Sequence, residues 1–180
     1  MTTSQLAVSF DPGLSHLCVD GISYHEDCTV HLEFHRTFDI RCGPSGKLSP
    51  DELLAGIDEV ELLVGRMEEK YRKINETVLV LEYQPPLATR ANLGLVRQNT
   101  FVEAFIQCWL MTEGVRYKKV SPSLFMKYFG FPKSPGNQYG SNKRLSKEKV
   151  KSILGGVRVN DHVADCILKG INAIEHMDRN

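Results

Sequence analysis

Three places along the 180-residue chain put carboxylates where chemistry can use them. Asp11 follows the apolar run 5–10 and opens the turn signal Asp11-Pro12-Gly13. Glu82 closes the β-branched run 77–81 ahead of Gln84-Pro85-Pro86. Asp161 and Asp165 flank His162 near the start of the last helical segment. Hard oxygen ligands, few enough that water and phosphate oxygens complete an octahedron, are what Mg²⁺ requires. Two such ions about 4 Å apart activate an attacking water and stabilise a leaving oxygen. Each acid alone has a plainer reading: Asp11 as a turn residue, Glu82 as an exposed strand end, Asp161 as an N-cap. Their joint occurrence beside a strongly basic segment favours the metal reading.

Segments between these stations must carry them to one place. Residues 5–10 read as a short, mostly buried strand. Residues 17–23 and 29–40 flank the polar His25-Glu26-Asp27. Alternation of Val30, Leu32 and Phe34 with His31, Glu33 and His35 predicts an antiparallel hairpin with one wetted face. Ser49-Pro50-Asp51-Glu52 supplies an N-cap, a proline at the first helical position and a capping-box acid. The stripe Leu53, Ile57, Val60, Val64, Met67 and Tyr71 carries that helix to about Lys73.

Residues 92–111 are helical in length but apolar almost all round, with Leu93, Phe101, Phe105 and Trp109 among them. That predicts burial on more than one side, within the fold or against a second subunit. Residues 117–120 form another strand, Ser121-Pro122 opens a short helix to about Tyr128, and residues 130–142, rich in proline and glycine, read as a flexible loop. In the last helix, 160–176, Val163, Ile167, Ile171 and Ile174 make the core stripe. Asp161, His162, Asp165 and Lys169 share an edge about 100° wide. No repeat interrupts this order, and a single domain is expected.

Lys plus Arg and Asp plus Glu both number 22, which excludes a uniformly basic chain. The average conceals a partition. From Arg116 to Lys151, ten bases face the single acid Glu148, a balance of +9; the preceding part carries −8 and the remainder −1. Such asymmetry points to a polyanion held by one segment. Five widely spaced cysteines without a C-x-x-C fit a reducing compartment. A zinc site from Cys28, His31 and His35 is disfavoured, because strict alternation puts the two histidines on one strand face and Cys28 on the other. No secretory or transit peptide and no membrane span is apparent.

Asp11-Pro12-Gly13, Leu81-Glu82-Tyr83-Gln84-Pro85 and His162-Val163-Ala164-Asp165 together resemble the three motifs of RuvC-type Holliday-junction resolvases, the Glu-x-Gln element being most similar to the fungal mitochondrial and poxvirus branch. The resemblance covers almost the whole chain. It implies an α/β ribonuclease-H-like fold with a mixed five-stranded sheet flanked by helices. It also implies a homodimeric, Mg²⁺- or Mn²⁺-dependent endonuclease that cuts four-way DNA junctions by paired nicks, with two ions per site.

By the same resemblance Asp11, Glu82 and Asp165 are metal-binding carboxylates. Most members have an aspartate where His162 stands and some bacterial ones a histidine, so the resemblance implies His162 as a metal ligand or proton carrier, with Asp161 as the substitute ligand. Lys147 resembles a family lysine near the scissile phosphate. Lys133, Lys143, Arg144 and Lys149 read as phosphate contacts. Phe129, Phe131 and Tyr139 stack on an opened junction or pack in the core. The resemblance implies a cytoplasmic, nucleoid or viral replication-site location, or a mitochondrial one, although no transit peptide is visible. Rival readings are a nuclease for another structured nucleic acid, a non-catalytic DNA-binding protein on the same fold, and an actin-like ATP-binding fold. The last is disfavoured by a short chain without a second Gly-rich phosphate loop.

Overall fold

Alternating side chains in the first forty residues build a three-stranded meander, β1 (Ser4–Pro12), β2 (His16–His25) and β3 (Val30–Asp39), paired antiparallel. The computed structural model describes residues 4–13, 16–42, 47–71, 74–82, 93–113, 117–131 and 138–176. A two-stranded ribbon, β4 (Arg41–Cys42) with β5 (Lys47–Leu48), leads into α1 (Pro50–Lys70). Ser49 caps α1, accepting from the Glu52 amide as the capping motif predicts. β6 (Ile74–Glu82) then adds parallel to β1, and α2 (Leu93–Thr112) crosses to β7 (Tyr117–Val120), parallel to β6. The mixed sheet has the order β3-β2-β1-β6-β7. The chain finishes with α3 (Pro122–Tyr128), α4 (Gln138–Ile153) and α5 (Asp161–Glu175).

Two apolar layers sandwich the sheet. Leu6, Val8, Phe10, Leu79 and Leu81 face α1 and α2 through Leu53, Ile57, Val60, Val102, Ile106 and Leu110. Ala7, Ile22, Val78 and Val80 face α5 through Val163, Ile167 and Ile171, joined by Phe125 of α3 and Val150 of α4. α5 lies tightly on β1 because Gly170 has no side chain. A Cβ there would sit 2.9 Å from Ile22 Cδ1, 3.2 Å from Ser9 Oγ and 3.3 Å from Ala7 Cβ.

Several expectations change. β1 continues through Asp11 and Pro12, paired with Cys18 and Leu17, so Asp11 is a strand residue rather than the start of a turn. The predicted loop 130–142 is helical from Gln138, and Lys147 stands in the middle of the helix that begins there. Asn160, not Asp161, is the N-cap of α5, accepting from the Val163 amide. In β3, Phe34 pairs with Gly21 but Leu32 with Ile22, so Glu33 is an extra residue. That bulge reverses the alternation. Phe34 packs with the α1 layer, whereas Val30 and Leu32 pack with the α5 layer. His35 turns to Asp20 and His31 to the His25 ring, so the two histidines do not share a face and Cys28 lies in the hairpin turn.

Candidate active site

Parallel pairing places Phe10 beside Leu81, and the next residues, Asp11 and Glu82, therefore stand side by side at the carboxyl ends of the two central strands. Phe10 and Leu81 face α1 and α2, so alternation turns both carboxylates toward α5. On that helix His162, Asp165 and Lys169 follow at i, i+3 and i+7, along one line over the strand ends. The sequence thus delivers three of its acidic stations to one end of the sheet.

Lys169 is the residue that organises them. Its side chain is 1% exposed, and its ammonium lies 3.3 Å from Asp11 Oδ1 and forms a short ion pair with Glu82 Oε2. Burial alone would strip its proton; the Asp11 and Glu82 charges outweigh that and hold its pKa well above the usual lysine range. Burial likewise works against ionised Asp11, but Lys169 and the His162 hydrogen bond hold that carboxyl well below its usual range. Glu82 goes the other way: burial and the Asp11 charge exceed the pull of Lys169 and push it up to about 8. The two carboxylates titrate as a coupled unit around the Lys169 ammonium.

His162 is more exposed, its Nδ1 3.3 Å from Asp11 Oδ2, and this contact raises its pKa against a smaller burial effect. Asp165 sits deeper. Its Oδ1 and the Ser146 hydroxyl of α4 are both buried without a hydrogen bond of good geometry, and burial raises the carboxyl despite the attraction of Lys169 and the polar influence of Ser146. Beside Asp11 and His162 opens a cleft of about 360 Å³ whose walls also include His16, Cys18, Thr37 and Asn160.

The remaining candidates lie around this centre. Asp161 accepts from Lys147 at 2.9 Å and Lys143 at 3.0 Å, and these two contacts hold its pKa at about 2. Lys147 and Lys143 are therefore tied to the first turn of α5, and Asp161 is turned to them rather than to Asp11. Arg144 is exposed and lies 3.6 Å from Glu148 one turn on. Lys149 is exposed and stands over the Phe129 ring at 5.9 Å. Phe129 and Phe131 pack against the α5 core layer. Lys133 and the Tyr139 side chain lie outside the described residues.

The donor set fits one hard cation better than two. Asp165 offers a buried oxygen with no partner, whereas Asp11 Oδ1 and Glu82 Oε2 both face Lys169 and Asp161 is engaged by two lysines. Among the described residues no three Asp, Glu, His or Cys groups converge as a metal cluster. Sequence reading placed Lys169 on the polar edge of the helix without a role. The signal was a lysine set between the apolar Cys166-Ile167-Leu168 and Gly170-Ile171, where a charge survives only if paired.

No family model matches the chain, and no curated protein does. Solved structures do. RuvC of T. thermophilus in complex with Holliday junction substrate is matched with a TM-score of 0.62 at 14% identity, over 95% of this chain and 94% of that one. A second Thermus thermophilus RuvC structure gives 0.61 at 12% identity, with 95% and 94% covered. Fowlpox virus resolvase in complex with substrate Holliday junction DNA gives 0.48 at 15% identity, with 96% and 99% covered. The bacterial likeness extends over nearly both whole chains and establishes a RuvC-like, ribonuclease-H-like α/β fold. The family resembled by the three sequence motifs is also the family found among similar folds.

Proposed function

We propose that this chain is a structure-selective endonuclease that resolves four-way DNA junctions by metal-assisted hydrolysis of phosphodiesters. The observation that carries the reading is that Asp11, Glu82, His162 and Asp165 are gathered around Lys169 at one end of the central strands, within a fold shared with junction-bound RuvC. Asp165, whose Oδ1 is buried without a hydrogen-bond partner, would hold the ion together with Asp11. A divalent ion bound there would supply Lewis acidity toward the phosphodiester and favour deprotonation of the attacking water, a hydrolysis that leaves 5′-phosphate and 3′-hydroxyl ends.

The protein's own groups do the rest. Lys169 lies against both strand-end carboxylates and offsets the Asp11 charge, so a phosphate can approach them without facing an uncompensated negative charge. His162, exposed at the cleft and held protonated more readily by Asp11, is placed to give a proton toward a leaving oxygen. Lys143 and Lys147, grouped at the start of α5, supply positive charge beside the cleft, and Lys147 is the member placed to offset charge growing on the reacting phosphate. Resolution needs two coordinated nicks, which a homodimer would provide through the α1–α2 layer.

A gel assay with a labelled four-way junction, with and without Mg²⁺, tests this directly. Symmetric nicks that require the metal are expected. In Asp11→Asn and Asp165→Asn nicking disappears while junction binding remains. Retained nicking in either purified variant overturns the site, and efficient cutting of duplex or structured RNA in preference to the junction overturns the substrate.

A further inference from the structure

A buried lysine between two carboxylates is an unusual partner for a metal centre, because it occupies the same electrostatic well as a cation. Lys169 is 1% exposed and touches an oxygen of both Asp11 and Glu82. Its backbone is fixed there by the apolar contacts of Ile167, Leu168 and Ile171 and by the close seat of Gly170 on β1. Removing a charge from water is costly unless it is paired. A lysine buried at this depth therefore stays where its two partners are, and a divalent ion entering between them would have to expel it into an apolar layer. One turn earlier on the same helix, Asp165 presents a buried oxygen without a hydrogen-bond partner.

We infer that Lys169 is a built-in cation that takes the place of one of two metal ions: the centre binds a single divalent ion, at Asp165 with Asp11, and Glu82 serves to hold Lys169 rather than to ligate metal. This deepens the nuclease reading and rests on it for the presence of a metal. It predicts a ligand economy in which charge from the side chain does at Asp11 and Glu82 what a second ion would do, at no cost in metal concentration. It also separates the two strand-end carboxylates in role: Asp11 is shared between lysine and ion, Glu82 belongs to the lysine.

Binding of Mn²⁺ alone to the full chain, followed by the loss of the free-ion electron paramagnetic resonance signal, tests this without reference to cleavage. The wild-type chain should take up one Mn²⁺, Glu82→Gln should still take up one, and Asp165→Asn none. Lys169→Met, which keeps length and volume but removes the charge, should gain a second ion. Two ions or none in the wild type, loss of the ion in Glu82→Gln, or retention in Asp165→Asn overturns the inference. A folded Lys169→Met that stays at one ion does so too. Should Lys169→Met fail to fold, as circular dichroism would reveal, the other three proteins decide the matter. Junction cleavage is scored separately. A chain that cuts but binds two ions refutes the single-ion centre alone, and a chain that binds one ion but never cuts refutes the nuclease reading alone.

Discussion

Asp161 shows how a residue can look catalytic in sequence and be something else in the fold. It stands one position from His162, yet its carboxylate is taken by Lys143 and Lys147. A surface pair of this kind contributes little to stability, but it does restrain two cations beside the cleft. Asp161→Asn should therefore tighten junction binding and steepen its salt dependence, by about one unit of slope in log K against log salt for each further phosphate contact made. Fluorescence anisotropy over a salt series reads this, and an unchanged slope places Lys143 and Lys147 away from the DNA. Asp11, Glu82 and Asp165 were legible in sequence because strand ends and a helix edge follow from local periodicity. Lys169 was not, since its role depends on two strands paired in register, Phe10 with Leu81, beneath a helix seated by a glycine.

Element packing makes one substitution act with opposite signs at two helical glycines. Gly65, on the outer part of α1, has nothing within 4 Å of an added Cβ, while Gly170 has Ile22, Ser9 and Ala7 inside 3.4 Å. Gly65→Ala should stabilise the fold by about 0.5–1 kcal/mol through helix propensity. Gly170→Ala should lower stability by about 1–2 kcal/mol as α5 shifts outward, and with it displace Lys169 and Asp165. Urea denaturation of the two variants checks the sign. A second element-scale test concerns Asp20 of β2, buried and 2.7 Å from His35 Nδ1. Burial pushes its pKa up from 3.8 to about 6 against the opposing His35 charge. A raised folded-state value means the stabilising contribution is complete below pH 3.8 and is lost as pH rises through 6. Asp20→Asn should remove that loss, gaining on the wild type between these limits by up to about 3 kcal/mol and running parallel to it above them. The contact itself was hidden from the sequence. Simple alternation put His31 and His35 together, and only the bulge at Glu33 separates them and sends His35 to Asp20.

For the whole molecule, the +9 segment is partly consumed by the fold itself. Lys118 donates to the Ala173 and His176 carbonyls at the end of α5, Lys119 pairs with Glu103, and Lys143 and Lys147 hold Asp161. Composition located the basic segment correctly but could not say how many of its charges face outward, because that depends on which acids the packing brings near. The α2 helix raises the parallel question for apolar surface. Val102, Ile106 and Leu110 are buried as its near-continuous hydrophobicity requires, yet Phe101 is 46% and Met111 65% exposed, and Leu62 of neighbouring α1 is 65% exposed. Trp109 reaches across to Glu61, so the two helices form one layer whose outer side carries these groups. If that layer joins two chains, a single acidic substitution at Met111 should separate them, since a buried unpaired carboxylate costs more than a small interface gains. Analytical ultracentrifugation should then find the wild-type chain dimeric and Met111→Glu monomeric. The monomer should still bind metal and nick one strand of a junction but lose the coupled second nick. A wild-type chain that sediments as a monomer while still cutting in pairs would move the coupling out of this layer and onto assembly on the DNA itself.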